Sequence, residues 1–175
     1  MDRPYSRDVR QTRVAALDPA RQPRFTGSMT ASEPSAGWLD GKEHVLPVRI
    51  YYEDTDFTGV VYHANYVRYF ERGRSDFLRL AGVGHADLLG RADPAAFTVV
   101  KLEIEFKRPA RIDDALEVRT IYEAARGPRL FIRQRILRGG EEICLGRVEA
   151  ACIDLSGRPR KPPAGMIETL RPLFG

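Results

Sequence analysis

The chain is poor in the residues that most often announce chemistry on their own. Among its 175 residues there are two cysteines, three histidines and one tryptophan. Cys144 and Cys152 belong to no CxxC motif and no Cys/His cluster. Both fall on one predicted strand, where eight residues at about 3.3 Å each hold them roughly 26 Å apart. They cannot bridge each other there, so ordinary buried thiols in a reducing compartment are expected. Long apolar runs are missing too: none approaches the ~20 residues of a membrane span, and the first residues lack the apolar h-region of a secretory signal. A cytoplasmic location is therefore the expectation. Nor is there a long basic run. The 28 basic residues are interspersed with 24 acidic ones, and a net charge of +4 with a pI near 9.3 reads as a mixed-charge surface rather than a nucleic-acid interface.

What is present is patterning. Residues 1–41 carry Pro4, Pro19, Pro23 and Pro34 among arginines and small polar residues with no sustained apolar period, which predicts a flexible N-terminal extension. Residues 42–175 are patterned as one domain. A strand is predicted over 44–53 from the alternation of Val48, Ile50 and Tyr52 with Arg49, Tyr51 and Glu53. A long helix over 65–82 follows, with Tyr66, Phe70, Gly73, Phe77 and Leu80 on one stripe. Four strands come next, over 97–107, 116–123, 130–137 and 142–154, with turn signals at Gly127-Pro128 and Gly139-Gly140, and then a short helix over 166–173. One helix and a run of antiparallel strands is an α+β arrangement, a sheet curled around the helix. Gly73, on the helix's apolar stripe, predicts a place where another backbone presses close.

The chemistry gathers in residues 51–83, YYEDTDFTGVVYHANYVRYFERGRSDFLRLAGV. A strand delivers Asp54 and Asp56 to the doorway of a helix, with His63 beside them and Gly59 allowing a sharp turn or a close approach to a ligand. Asn65 is the expected N-cap, leaving the amides of His63 and Ala64 just outside the first turn. Unpartnered amides at a helix start favour a carbonyl oxygen that is becoming an anion, so the stretch can hold a carboxylate against a reacting carbonyl. Two other readings stand beside this one. His63 packs against Tyr62 or caps the helix, without chemistry. Alternatively, Asp54, Asp56 and His63 hold a metal as in DxD phosphotransferases; that reading requires alternating βα units, which the four-strand run opposes, and no metal is expected.

The run YYEDTDFTGVVYHANYVRYFERGR followed by four strands resembles the hotdog-fold acyl-CoA thioesterases of the YbgC and 4-hydroxybenzoyl-CoA thioesterase group, over residues 45–161. The resemblance implies a hotdog fold and hydrolysis of an acyl-CoA to a carboxylic acid and coenzyme A. It implies that Asp56 is the catalytic carboxylate and that the His63 backbone N–H polarises the thioester carbonyl. Gly59, Val60, Tyr62 and Ala64 would line the acyl and oxyanion region. Phe57 departs from the family pattern, in which a small residue or proline follows the aspartate. Glu71 is similar in position to the helical carboxylate of other hotdog enzymes, but Asp56 points to the loop type. Coenzyme A would enter as part of the substrate, with no retained cofactor. A homodimer or homotetramer is implied, with an acyl carrier protein or envelope complex as a further partner. A thiolate leaves readily, so one carboxylate and one oxyanion donor suffice; Asp56 serves as nucleophile or as general base, its pKa open to being raised by Glu53, Asp54 and partial burial. The alternative is a non-catalytic hotdog module that binds acyl-CoA or acyl carrier protein.

Overall fold

The computed structural model describes residues 36–175. Two strands come first, β1 (Trp38–Asp40) and β2 (Glu43–Arg49), then a 3-10 turn (Tyr52–Asp54) and the long helix α1 (His63–Leu80). After the short α2 (His85–Leu89) the chain forms β3 (Ala96–Phe106), β4 (Ala115–Arg126), β5 (Arg129–Arg138) and β6 (Glu141–Ile153), and ends on α3 (Met166–Leu170) and a 3-10 turn (Arg171–Leu173). All six strands form one antiparallel sheet in the order β1-β2-β4-β5-β6-β3. The sheet curves around α1, which is the hotdog fold.

Binary patterning explains the contact between the two layers. On β4, Leu116, Val118, Thr120 and Tyr122 are buried while Glu117, Arg119 and Ile121 are not; on β5, Leu130, Ile132, Gln134 and Ile136 do the same. The core has two apolar lobes along α1. Tyr66, Tyr69 and Phe70 pack with Leu46, Val118 and Ile136 near its start. Phe77 and Leu78 pack with Tyr122, Leu130 and Val148 near its end. Each such buried side chain stabilises the fold by about 1.5–3 kcal/mol.

Between the lobes lies a polar layer beneath Gly73. A Cβ on Gly73 would sit 2.7 Å from Thr120 Oγ1 and 3.1 Å from Val118 Cγ1, so the close approach is made by side chains of the sheet and not, as expected, by another backbone. The sheet answers with its own glycine, since a Cβ on Gly146 would lie 2.7 Å from the Phe70 ring. There Gln134 donates to Phe70 O at 2.8 Å and to Thr120 Oγ1 at 2.9 Å, and accepts from Arg74 at 2.8 Å. Every polar group named here has a partner, as a buried layer requires.

Three expectations about elements are corrected. The first strand stops at Arg49, because Ile50 exchanges hydrogen bonds with Asp113 and Asp114 and the chain then turns into the 3-10 helix, where Tyr52 and Glu53 are exposed. The long helix begins at His63 and ends at Leu80, with Tyr62 rather than Asn65 at the N-cap position. Trp38–Asp40, inside the expected 1–41 extension, is a strand paired with β2; residues 1–35 of that extension lie outside the described residues. Cys144 and Cys152 are both on β6, buried and unbridged.

Candidate active site

The loop between the 3-10 turn and α1 is a small hairpin. Thr55 and Val61 form an antiparallel bridge at its neck. Inside it the Asp56 amide donates to Val60 O at 2.9 Å and the Gly59 amide to Asp56 O at 3.0 Å. Gly59 has φ of 76°, a left-handed conformation that glycine adopts without steric cost. One side of the hairpin is fastened to the sheet. Val61 N–H donates to Ala110 O at 2.9 Å, and the buried Tyr66 hydroxyl of α1 accepts from Ala110 N–H at 2.9 Å.

The other fastening is to the helix start, and it runs through Asp54. The Asp54 carbonyl accepts from the Tyr62 amide at 3.0 Å and from Asn65 Nδ2 at 2.8 Å. Its carboxylate turns back to accept from the Tyr51 amide at 2.9 Å. Asn65 is thus buried inside the first turn of α1 as a tether for the loop, which is why it does not cap the helix. His63 and Ala64 occupy the first two helical positions, where the N–H groups have no carbonyl one turn back. Tyr69, also on α1, has a buried hydroxyl; burial first, and then its interaction with the Asp54 carboxylate, push its phenol well above the usual value.

Asp56 projects from the hairpin and is exposed. Its Oδ1 accepts from the Thr58 amide at 2.7 Å and from the Thr58 hydroxyl at 2.6 Å. The Thr58 hydroxyl, and after it the Thr58 and Val60 amides, hold the carboxyl below the usual carboxylate range. This overturns the expectation that Glu53, Asp54 and burial would raise it: the carboxylate is not enclosed in the protomer, and Asp54 is turned toward Tyr51. Gly59 and Val60 are half-buried in the hairpin, Ala64 is half-buried at the helix start, and Tyr62 is exposed. The His63 ring is exposed and lies against Tyr62, with centroids 4.4 Å apart. Phe57 is fully exposed beside Asp56. The structure therefore gathers Asp56, Gly59, Val60, Tyr62, His63 and Ala64 along one hairpin and the helix start it leads into.

Sequence reasoning missed Thr58, the tether made by Asp54 and Asn65, and the link from Tyr66 to Ala110. A hydroxyl two residues after an aspartate and before a glycine is a recognisable turn signal that could have found Thr58. The other two span 11 and 44 positions in the chain and have no local signature. Glu71, on α1, is occupied: one oxygen pairs with Arg74 and the other accepts from Ser75 Oγ at 2.9 Å. Among the described residues no group of three or more His, Cys, Asp or Glu side chains converges as a metal site.

A curled antiparallel sheet around one helix, with a carboxylate hairpin fastened to the helix start, defines a class, and sequence comparison agrees with it. The sequence pattern of the thioesterase-like superfamily matches residues 50–170, and the chain belongs to that superfamily. Among its relatives, the acyl-CoA thioester hydrolase YbgC of Escherichia coli O157:H7 is 42% identical over 124 residues, covering 69% of this chain and 90% of the relative. The acyl-CoA thioesterase YbgC of Haemophilus influenzae is 40% identical over 110 residues, 63% of this chain and 80% of the relative. A crystal structure of a probable thioesterase from Bartonella henselae superposes with a TM-score of 0.67 at 42% identity, covering 69% of this chain and 99% of that one.

Proposed function

We propose that the protein hydrolyses an acyl-CoA to a free carboxylic acid and coenzyme A, with Asp56 as the reacting carboxylate and the start of α1 as the oxyanion site. The observation that carries this is the tether: the Asp54 carbonyl ties the hairpin bearing Asp56 to Tyr62 and Asn65, next to the open amides of His63 and Ala64. In the direct route, an Asp56 oxygen attacks the thioester carbon and the carbonyl oxygen becomes an oxyanion facing those amides. Collapse breaks the C–S bond and expels the thiolate, leaving a mixed anhydride. Water then splits the anhydride, releasing the acid and restoring the carboxylate. In the alternative route Asp56 takes a proton from the attacking water. Tyr62, Gly59 and Val60 line the acyl side, His63 offers its backbone N–H to the oxyanion, and its exposed ring, tilted against Tyr62, lies at the same helix start.

Coenzyme A belongs to the substrate and is not a retained cofactor. A second copy of the chain completes the site. β3 is an 11-residue strand at the sheet edge with Val99, Val100, Leu102 and Phe106 exposed, an edge that invites pairing with its own equivalent. Sedimentation at the mass of a single chain would remove this part of the reading. No helix among the described residues is long and apolar enough to cross a membrane; the cytoplasmic placement rests on the buried, unbridged thiols.

The test is thiol release from a panel of aliphatic and aromatic acyl-CoAs. The wild-type protein turns over at least one of them, and Asp56→Asn loses roughly a thousandfold in kcat while still binding it. Binding without release by the wild type would identify an acyl-binding module instead, and a fully active Asp56→Asn would remove Asp56 from the mechanism.

A further inference from the structure

The two oxygens of Asp56 are not equivalent. Oδ1 takes both donors of Thr58, its amide and its hydroxyl, and Oδ2 is left to face whatever enters the site. The amide bond belongs to the turn and any residue at position 58 supplies it. The hydroxyl does not. The hairpin is already closed by the Thr55–Val61 bridge, by Asp56 N–H to Val60 O and by Gly59 N–H to Asp56 O. A second donor on Oδ1 therefore adds little to the loop and acts on the carboxylate itself, pinning its rotation and distinguishing one oxygen from the other.

We infer that Thr58 is a positioning residue for the reaction: its hydroxyl clamps Oδ1 so that Oδ2 of Asp56 is presented to the thioester carbon. The inference rests on Asp56 acting on the thioester. The clamp also stabilises the ionised form, since charge-assisted hydrogen bonds to a carboxylate are the stronger kind. The neighbouring ionisable groups are Glu53 and Asp54 on the preceding turn, His63 at the start of α1 and Arg111 opposite Val60. None of them is among the groups that move the Asp56 carboxyl; the Thr58 hydroxyl is the first of those that do. A carboxyl so held stays ionised to lower pH. Removing the hydroxyl returns its proton affinity toward the ordinary value, and the acid limb of the rate profile moves up in pH.

The experiment measures kcat and KM against pH for the wild type, Thr58→Val, Thr58→Ala, Thr58→Ser and Asp56→Asn. A control comes from within the molecule: Asp154 accepts from the Ser156 amide and hydroxyl in the same way, at 2.8 and 2.7 Å, in a turn after β6. Thr58→Val and Thr58→Ala are expected to lose about tenfold in kcat with KM within about twofold, and to shift the acid limb to higher pH. Thr58→Ser restores both, and Ser156→Ala changes neither. An inactive Asp56→Asn alongside Thr58 variants with wild-type kcat and acid limb overturns the inference and leaves the catalytic reading standing; an active Asp56→Asn overturns the catalytic reading itself. Unfolding midpoints of the Thr58 variants within a degree or two of the wild type exclude a folding defect, and if Thr58→Val unfolds early, Thr58→Ala decides.

Discussion

The molecule contains the same turn twice. Residues 56–60 read DFTGV and residues 154–158 read DLSGR. In each, the aspartate amide donates to the carbonyl four residues on, at 2.9 and 3.0 Å, and the glycine amide donates to the aspartate carbonyl at 3.0 Å. Each glycine has a left-handed φ, 76° at Gly59 and 84° at Gly157, and each neck is an antiparallel bridge, Thr55 with Val61 and Ile153 with Pro159. In both, the hydroxyl two residues on holds the aspartate below the usual carboxylate range. The local hydrogen bonding is alike, so it cannot be what makes one of them a candidate for catalysis. What differs is the setting. Asp154 Oδ1 takes a third donor, the Arg158 amide at 3.0 Å, Arg160 adds its positive charge, and the turn leads into a proline-rich segment. The turn at Asp56 leads into α1 and is fastened to it through Asp54 and Asn65. A prepared carboxylate becomes useful where open helix amides lie beside it.

The sharpest way to break the comparison is to make the same substitution in both turns. Asp56→Asn is expected to lose roughly a thousandfold in kcat, whereas Asp154→Asn keeps kcat within about threefold and only lowers the unfolding midpoint a little. Equal losses in a thiol-release assay would mean the setting does not matter. Next in size is the tether. Asn65→Ala removes the side-chain bond to the Asp54 carbonyl, so kcat should drop about tenfold through misplacement of the hairpin, with about 1 kcal/mol of stability lost with that hydrogen bond while the carbonyl keeps the Tyr62 amide, read by urea unfolding. If stability falls and kcat does not, the tether serves only the fold.

A smaller effect separates the two carboxylates that the sequence offered. Glu71 has both oxygens engaged, by Arg74 and Ser75, so Glu71→Gln should leave kcat within about threefold while costing about half a kcal/mol of helix stability; a loss comparable to that of Asp56→Asn would move the chemistry to the helix. Furthest from either turn is Glu43, which burial pushes up but which Arg135 and Arg119 together hold below the usual range. A group lowered in the folded state contributes stability above the ordinary carboxylate range and loses it as pH falls through the lowered value. Glu43→Gln should therefore unfold earlier than the wild type at pH near 7, and the gap should narrow as pH falls below the usual carboxylate range, with no change in turnover at neutral pH.

Much of the architecture was legible in the sequence because it is periodic. The alternation along residues 97–107, 116–123, 130–137 and 142–154 anticipated β3 to β6, and the three-and-four spacing of Tyr66, Phe70, Gly73 and Phe77 anticipated α1, while the close neighbours of Gly73 are side chains and not the backbone expected there. Three residues long, β1 was missed, since so short a strand is held by its pairing with β2 and not by its own pattern. Asn65 was misread because asparagine at a helix start is a good cap in isolation; here its side chain finds a better-placed acceptor in the Asp54 carbonyl. Asp56 was legible as a residue, whereas the direction of its proton affinity was not, because the Asp54 carboxylate is turned toward Tyr51 and the Thr58 hydroxyl is what reaches Asp56.

The sequence by itself determined the faces of the strands and the stripe of the helix, and it contains, though they went unread, the two D-x-(S/T)-G turns whose hydrogen bonds span four residues or fewer. Only the tertiary structure decided that β3 lies at the far edge of the sheet beside β6, that the hairpin is fastened to Asn65 and Ala110, and that Gly73 meets Gln134 and Thr120. The reason is physical. A turn is fixed by hydrogen bonds among its own neighbours, but the approach of residue 54 to 65, or of 66 to 110, is set by how the helix and sheet bury their apolar faces against each other.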